Sequence, residues 1–274
     1  MPTNEIVSFY TGYNEASRLQ RGVSLLECAR SRELILRHFP TTVPAVVLDI
    51  GGAAGAYSFW LAELGHQVHL LDLTEKHIAQ ARERARDTGL ALASMRVGDA
   101  CALPFPGDFA DVALLMGPLY HLQDRAQRLQ AFAEALRVLK PGGVFFASAI
   151  GRHATLLDGF VSGFIGDPTL FALMQDELRD GCHHCPPGMS YFTTAFLHRP
   201  EELRVEAEQA GLQHIELFAL ESFGAMLPDF AAKWEDPAYR ELLLQSIRLV
   251  ETDPSLLGIS QHLMLVGWKT QLLY

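Results

Sequence analysis

The chain has 274 residues, 49% hydrophobic and 20% charged, the composition of a globular protein with room for one large domain or one domain with insertions. A net charge of −10 repels phosphate backbones at long range, and no apolar run approaches the roughly 18 residues that span a membrane, so neither a nucleic-acid nor a membrane partner is favoured. Four cysteines (Cys28, Cys101, Cys182 and Cys185) are too few for a disulfide framework, and "MPTNEIVSFY" carries no basic stretch before an apolar core, so the chain reads as reduced and cytoplasmic, without a signal peptide.

A mostly helical segment from about Leu25 to His38 precedes "AVVLDI" (45–50), a continuous apolar run of the kind buried on both faces of a parallel sheet. "AYSFWLAEL" reads as a helix stopped by Gly65, with Phe59, Trp60 and Leu64 as core contacts. "QVHLLD" (67–72) is a second strand, and Thr74 caps a helix that runs to about Thr88, with Gly89 past its end. "LASMRV" (92–97) and "ADVALLM" (110–116) are the third and fourth strands. Leu129, Phe132, Leu136 and Leu139 then recur at helical spacing up to "KPGG", which the proline and glycines end before a fifth strand, "VFFASAI" (144–150). Residues 151–198 show no clear strand. A helix over 199–212, a strand over 213–220, a helix centred on "YRELLLQSIRLV" and a last strand over 262–269 complete the chain. Alternating strands and helices imply an α/β, doubly wound, mostly parallel sheet of seven strands with helices on both faces. The chain divides into an N-terminal cofactor-covering segment (1–44), a core (45–150) and insertions at 151–198 and 221–257, which are expected over the ligand edge of one domain, 1–274.

The sharpest motif is Asp49-Ile50-Gly51-Gly52-Ala53-Ala54-Gly55. A strand ending in an acid, then a tight glycine turn and a helix, brings backbone N–H groups close to a ligand. Asp72 closes the second strand, where an acid accepts from ribose hydroxyls in dinucleotide folds. "VGDA" follows the third strand, "LLMGPLYHL" ends the fourth and "LRVLKPGG" precedes the fifth. In order and spacing these stretches resemble the class I S-adenosylmethionine-dependent methyltransferases, with Ala53 standing where that signature has glycine. The likeness covers about 45–150 and extends to the C-terminal helix and strands. "GPLYHL" and "YFTTAFLHRPEEL" are similar to a bacterial small-molecule branch. The resemblance implies S-adenosylmethionine as cofactor, held by Asp49, Gly51, Gly52, Ala53, Gly55, Asp72, Leu73, Asp99, Ala100 and Met116. It implies that Asp99 meets the adenine amino group. It further implies that Tyr13 and Arg21 come from the N-terminal segment, with Arg21 meeting the methionyl carboxylate.

Transfer of a sulfonium methyl group needs alignment and exclusion of water, and a base only where the acceptor must lose a proton. Tyr120 and His121 follow the fourth strand at the mouth of the site, and His121 is the best-placed base because an unperturbed imidazole titrates near neutrality. "GCHHCPPG" (181–188) has a C-x-x-C but no second pair, so no metal is expected there. It reads as a lid turn, with His183 or His184 lining the substrate pocket beside His153, Tyr191 and Phe192. The acceptor is expected to be a small molecule with an O, N or S nucleophile. A carboxylate on a tRNA wobble uridine, a non-catalytic cofactor-binding protein and, more weakly, a dinucleotide oxidoreductase are the other readings.

Overall fold

The computed structural model describes residues 2–12, 15–41, 43–185 and 192–270. Two helices, α1 (Pro2–Gly12) and α2 (Ser24–His38), precede the sheet, with a 3-10 turn at Glu15–Gln20 between them. The core alternates β1 (Val46–Ile50), α3 (Ala56–Glu63), β2 (Gln67–Asp72), α4 (Glu75–Thr88), β3 (Ser94–Val97), β4 (Ala110–Leu115), α5 (Arg125–Val138) and β5 (Leu139–Ile150). An inserted layer follows: α6 (Ala154–Val161), α7 (Pro168–Asp180) and a ribbon of β6 (Cys182–His183) with β7 (Ala195–Phe196). The chain returns through α8 (Pro200–Gln209) and β8 (Gln213–Ala219), then α9 (Phe230–Glu235), α10 (Pro237–Arg248), α11 (Pro254–Leu257) and β9 (His262–Trp268).

The seven main strands lie in the order β3-β2-β1-β4-β5-β9-β8. All pair in parallel except β9, which runs antiparallel to both β5 and β8. The direction of winding reverses between β1 and β4, and a crevice opens there beyond their carboxyl ends. The two faces follow from the period of two along a strand. Leu48, Ile50 and Phe145 pack with Phe132 of α5 and Leu203 of α8, whereas Val47 and Phe146 pack with Phe59 of α3, Ile78 of α4 and Leu34 of α2.

Element ends follow the chemistry read from the sequence. Thr74 accepts from the His77 N–H at the start of α4, and Gly89 ends it at φ +69°. Four details differ. Leu64 is 44% exposed, because α3 ends at Glu63 and the next residue turns outward. The "KPGG" turn lies within β5 as a register shift against β4. Among its described residues, 151–198 contains two α-helices and, where no clear strand was expected, a ribbon of two residues per strand. Residues 221–257 pack along α2, through Phe230, Leu243 and Ile247 on Leu26 and through ion pairs of Arg248 with Glu33 and of Glu251 with Arg30 and Arg37. Among the described residues no helix is long and apolar enough to cross a membrane.

Candidate active site

The turn after β1 is clamped from three sides. Gly51 and Gly52 both donate N–H to the Leu71 carbonyl, at 2.7 and 3.2 Å. A Cβ at Gly51 would lie 2.4 Å from Pro118 Cγ, and one at Gly52 would lie 2.4 Å from Asp49 Oδ2, so both glycines are required by close approach. Ala53 occupies the left-handed region at φ +49°, and its N–H donates to Asp72 Oδ2 at 2.9 Å. Gly55, at φ +81°, opens α3.

The three acids differ in setting. Asp49 is fully buried beneath the turn; Ser58 Oγ donates to its Oδ2 at 2.6 Å, and Oδ1 has no partner among the described residues. Burial pushes its carboxyl up to about 6, a little further because Asp72 lies nearby, against the pull of Ser58. Asp72 is also buried, yet its carboxyl is held below the usual range: burial is outweighed by His77 and by Thr74. Its Oδ1 accepts from Thr74 N at 2.9 Å, Thr74 Oγ1 at 2.8 Å and His77 Nδ1 at 3.0 Å. That oxygen is saturated, so the expectation that both Asp72 oxygens face a ribose narrows to Oδ2. Asp99 is exposed and accepts from the Cys101 N–H at 2.8 Å.

A groove of about 350 Å³ runs past Asp72, Leu73, Asp99, Ala100 and Leu122. It shares Gly51, Ala53, Gly117 and Tyr120 as walls with a space of about 520 Å³ lined by Tyr57, Met116 and Arg18. A third cavity, of about 340 Å³, lies between the inserted layer and the start of β9; Ile150, Thr155, His183, Phe192 and His262 line it. Tyr10 and Tyr120 wall both the groove and this cavity.

Helix α1 covers the junction. Tyr10 Oη donates to His121 Nε2 at 2.8 Å, and its ring meets that of His77 edge-on at 5.5 Å. His121 Nδ1 lies 3.3 Å from the Thr194 carbonyl, which only accepts, so Nδ1 carries the proton and Nε2 is the acceptor. Burial pushes His121 down to about 4, against weaker opposition from Thr194 and Asp72. His121 is therefore a neutral ring tied at both nitrogens, not the near-neutral titrating base expected from its type.

The other expected residues scatter. Arg21 is exposed and lines none of these cavities; Arg18, three residues earlier, lines two of them and forks onto Glu27 at 2.6 and 3.0 Å. Tyr13 and Tyr191 lie outside the described residues. His183 is buried in the cavity wall, with Nδ1 paired to Glu177 Oε1, whereas His184 is exposed. His153 is turned to the Gly258 carbonyl at 2.9 Å. Cys182 and Cys185 form no disulfide and, among the described residues, join no cluster of ligand-type side chains. The residues not singled out from sequence are Arg18, His77, Thr194 and His262. Only Arg18 carried a signal, by lying in the same N-terminal stretch as Arg21.

Residues 48–147 match the family described as "Methyltransferase domain". A ubiquinone biosynthesis O-methyltransferase of Thiobacillus denitrificans is 30% identical over 188 residues, covering 67% of this chain and 72% of that one. Enzymes of the same name from a Shewanella species and from Methylococcus capsulatus are 30% and 29% identical, and the chain spans only 54% and 65% of their lengths. Among solved structures, a Methanosarcina mazei S-adenosylmethionine-dependent methyltransferase superposes with TM-score 0.59 at 17% identity, covering 86% of this chain and 97% of that one. A Haemonchus contortus phosphoethanolamine N-methyltransferase 2 in complex with S-adenosyl-L-methionine gives 0.57 at 20%, covering 89% and 53%. At such identities the structural likeness is one of fold.

Proposed function

This chain belongs to the class I S-adenosylmethionine-dependent methyltransferases, and from that premise we propose that it methylates an O, N or S nucleophile of a small molecule held between the inserted layer and β9. The observation that carries this reading is the cavity of about 340 Å³ that meets the cofactor groove at Tyr10 and Tyr120. Its size suits a compact metabolite rather than a polymer.

The residues of the groove fit the cofactor. Leu73, Ala100 and Leu122 offer apolar contact to an adenine, with Asp99 toward its amino group. Asp72 Oδ2 and His77 Nε2, a buried nitrogen with no partner among the described residues, offer two acceptors for two ribose hydroxyls. Arg18, in place of the expected Arg21, brings a cation to the space lined by Gly51, Gly52 and Met116, toward a methionyl carboxylate. When bound, S-adenosylmethionine supplies a methyl group activated by a sulfonium.

The chain's own work is to hold the acceptor in line and keep water out. Such positioning contributes up to about 7–11 kcal/mol of the barrier. Tyr120 stands between the two sites as a wall. His121 acts through Tyr10, as the acceptor that holds α1 down. The base role moves to His183, which lines the acceptor cavity and whose ring is fixed by Glu177, the arrangement of an oriented imidazole. The test is transfer of label from S-adenosylmethionine to panels of small phenols, carboxylic acids, amines and thiols, with bulk tRNA alongside. Label in a small-molecule panel and none in tRNA supports the reading; label in tRNA alone overturns it.

A further inference from the structure

Taking the cavity between the inserted layer and β9 as the acceptor site, we infer that His262 recognises the acceptor, its imidazolium donating a charge-assisted hydrogen bond to a carboxylate on that molecule. His262 opens β9 directly opposite Ile150, and both side chains line the cavity. The ring is fixed from behind. Nδ1–H donates to Glu221 Oε1 at 2.6 Å, and the His262 backbone N–H donates to Glu221 Oε2 at 2.9 Å. Ser260 Oγ donates to that same Oε2 at 2.9 Å, so the carboxylate cannot swing away. Glu27 Oε2 lies 3.9 Å from Nδ1. With Nδ1 committed, Nε2 is the atom left for a ligand. The side chain is 19% exposed, and among the described residues Nε2 has no hydrogen-bond partner.

Charge completes the case. Arg18, Glu27, His262 and Glu221 form an alternating row. The two carboxylates raise His262 to about 9, overcoming the opposing effects of burial and of Arg18. A partly buried cation with one N–H to give is a strong donor to an anionic oxygen. The remaining groups facing the cavity limit what that anion is. Asp158 on α6 takes the Ser162 hydroxyl at 3.2 Å and disfavours a dianion such as phosphate. Arg18, forked onto Glu27, is given to the methionyl carboxylate, and His183 of β6, paired with Glu177, to the base role. Tyr10, Tyr120 and Phe192 supply flat apolar walls. A monocarboxylate on an aromatic or other flat apolar body meets all of these conditions.

Benzoate and its uncharged counterpart benzamide are the probes, titrated by calorimetry into protein saturated with S-adenosylhomocysteine at pH 7.5. Benzoate is expected to bind about 10-fold or more tightly than benzamide, the usual gain for a charge-assisted bond. The preference should fade as pH rises through about 9. His262→Gln keeps a neutral donor of similar size and should remove the preference. Glu221→Gln takes away one carboxylate and should move the fading to lower pH. Equal binding of the two probes to the wild type, a preference that survives His262→Gln, or no benzoate binding would each overturn the assignment. S-adenosylhomocysteine affinity is measured on the same protein preparations. If it is absent in the wild type, the methyltransferase reading fails; if it is present while benzoate fails, only the assignment of His262 does.

Discussion

Asp49 and Asp72 end adjacent parallel strands, yet their environments drive them apart. Among the described residues Asp49 accepts from Ser58 alone, and its pKa rises to about 6; Asp72 accepts from Ala53, Thr74 and His77 and falls below the carboxylate norm. A carboxyl whose folded pKa lies above its unfolded one costs stability, a cost that grows from the unfolded value near 3.8 and is complete above about 6. Asp49→Asn keeps an acceptor for Ser58 and should stabilise the fold by about 2–3 kcal/mol at pH 7.5 and by little at pH 4, read from urea unfolding at both. A variant no more stable at pH 7.5 would show that Asp49 is not strained by burial. The catalytic assignment is tested in the same manner. His183→Ala should lower single-turnover methyl transfer about 100-fold with cofactor affinity unchanged, the usual loss for general-base help. His121→Gln, which still accepts from Tyr10, should lose less than about 10-fold by the same measure. The reverse ranking would return the base role to His121. Sequence made the acids and glycines legible because tight backbone approach demands particular residue types. It left Arg18 and Arg21 undivided: Arg18 sits in a 3-10 turn and Arg21 just past it, and irregular chain has no period to say which points inward.

At the scale of elements, α1 is a clasp over the groove. Lys76, in the first turn of α4, donates to the Tyr10 and Thr11 carbonyls at 2.9 and 2.8 Å, at the negative end of α1. Thr194 Oγ1 donates to Glu5 at 2.7 Å, and the rings of Phe9 and Phe192 meet edge-on at 5.8 Å. Helix α4, whose His77 lines the groove, and the inserted layer are thus tied through one helix. Lys76→Met removes these charge-assisted bonds and should speed both backbone hydrogen exchange in α1 and release of S-adenosylhomocysteine by about 5–30-fold, on the scale of about 1–2 kcal/mol. Unchanged exchange would mean that α1 is held by its other contacts, the Tyr10–His121 and Thr194–Glu5 hydrogen bonds and the aromatic rings. The core helices and strands were legible because long apolar periods and Gly, Pro and Thr punctuation agree there. The β6–β7 ribbon was not, since two residues per strand carry no alternation. The packing of 221–257 on α2 was not either, because it rests on apolar contacts and ion pairs between residues far apart in sequence, which no local pattern encodes.

Across the whole molecule, the titrating groups set opposite edges of stability. His262, raised to about 9, contributes stability that is complete below its unfolded value near 6.5 and is lost as pH rises through 9. His121, lowered to about 4, contributes stability that is complete above 6.5 and is lost as pH falls toward 4. Glu33 and Glu206, both lowered to about 2 by their arginine and histidine partners against the cost of burial, extend the acid loss below 4.5. Unfolding free energy should therefore peak near pH 6.5 and decline above it, with the alkaline limb missing in His262→Gln, a pattern that chemical denaturation across pH reads directly. The groove proposed for the cofactor and the cavity proposed for the acceptor share Tyr10 and Tyr120 as walls. The claim that the methyl group crosses that wall is tested most directly by a crystal structure with sinefungin, whose amine stands where the transferable methyl stands in the cofactor. The amine is expected beside Tyr120, opening onto the cavity of Ile150, Thr155 and His262. An amine that faces bulk solvent, or any wall other than that cavity, would contradict it.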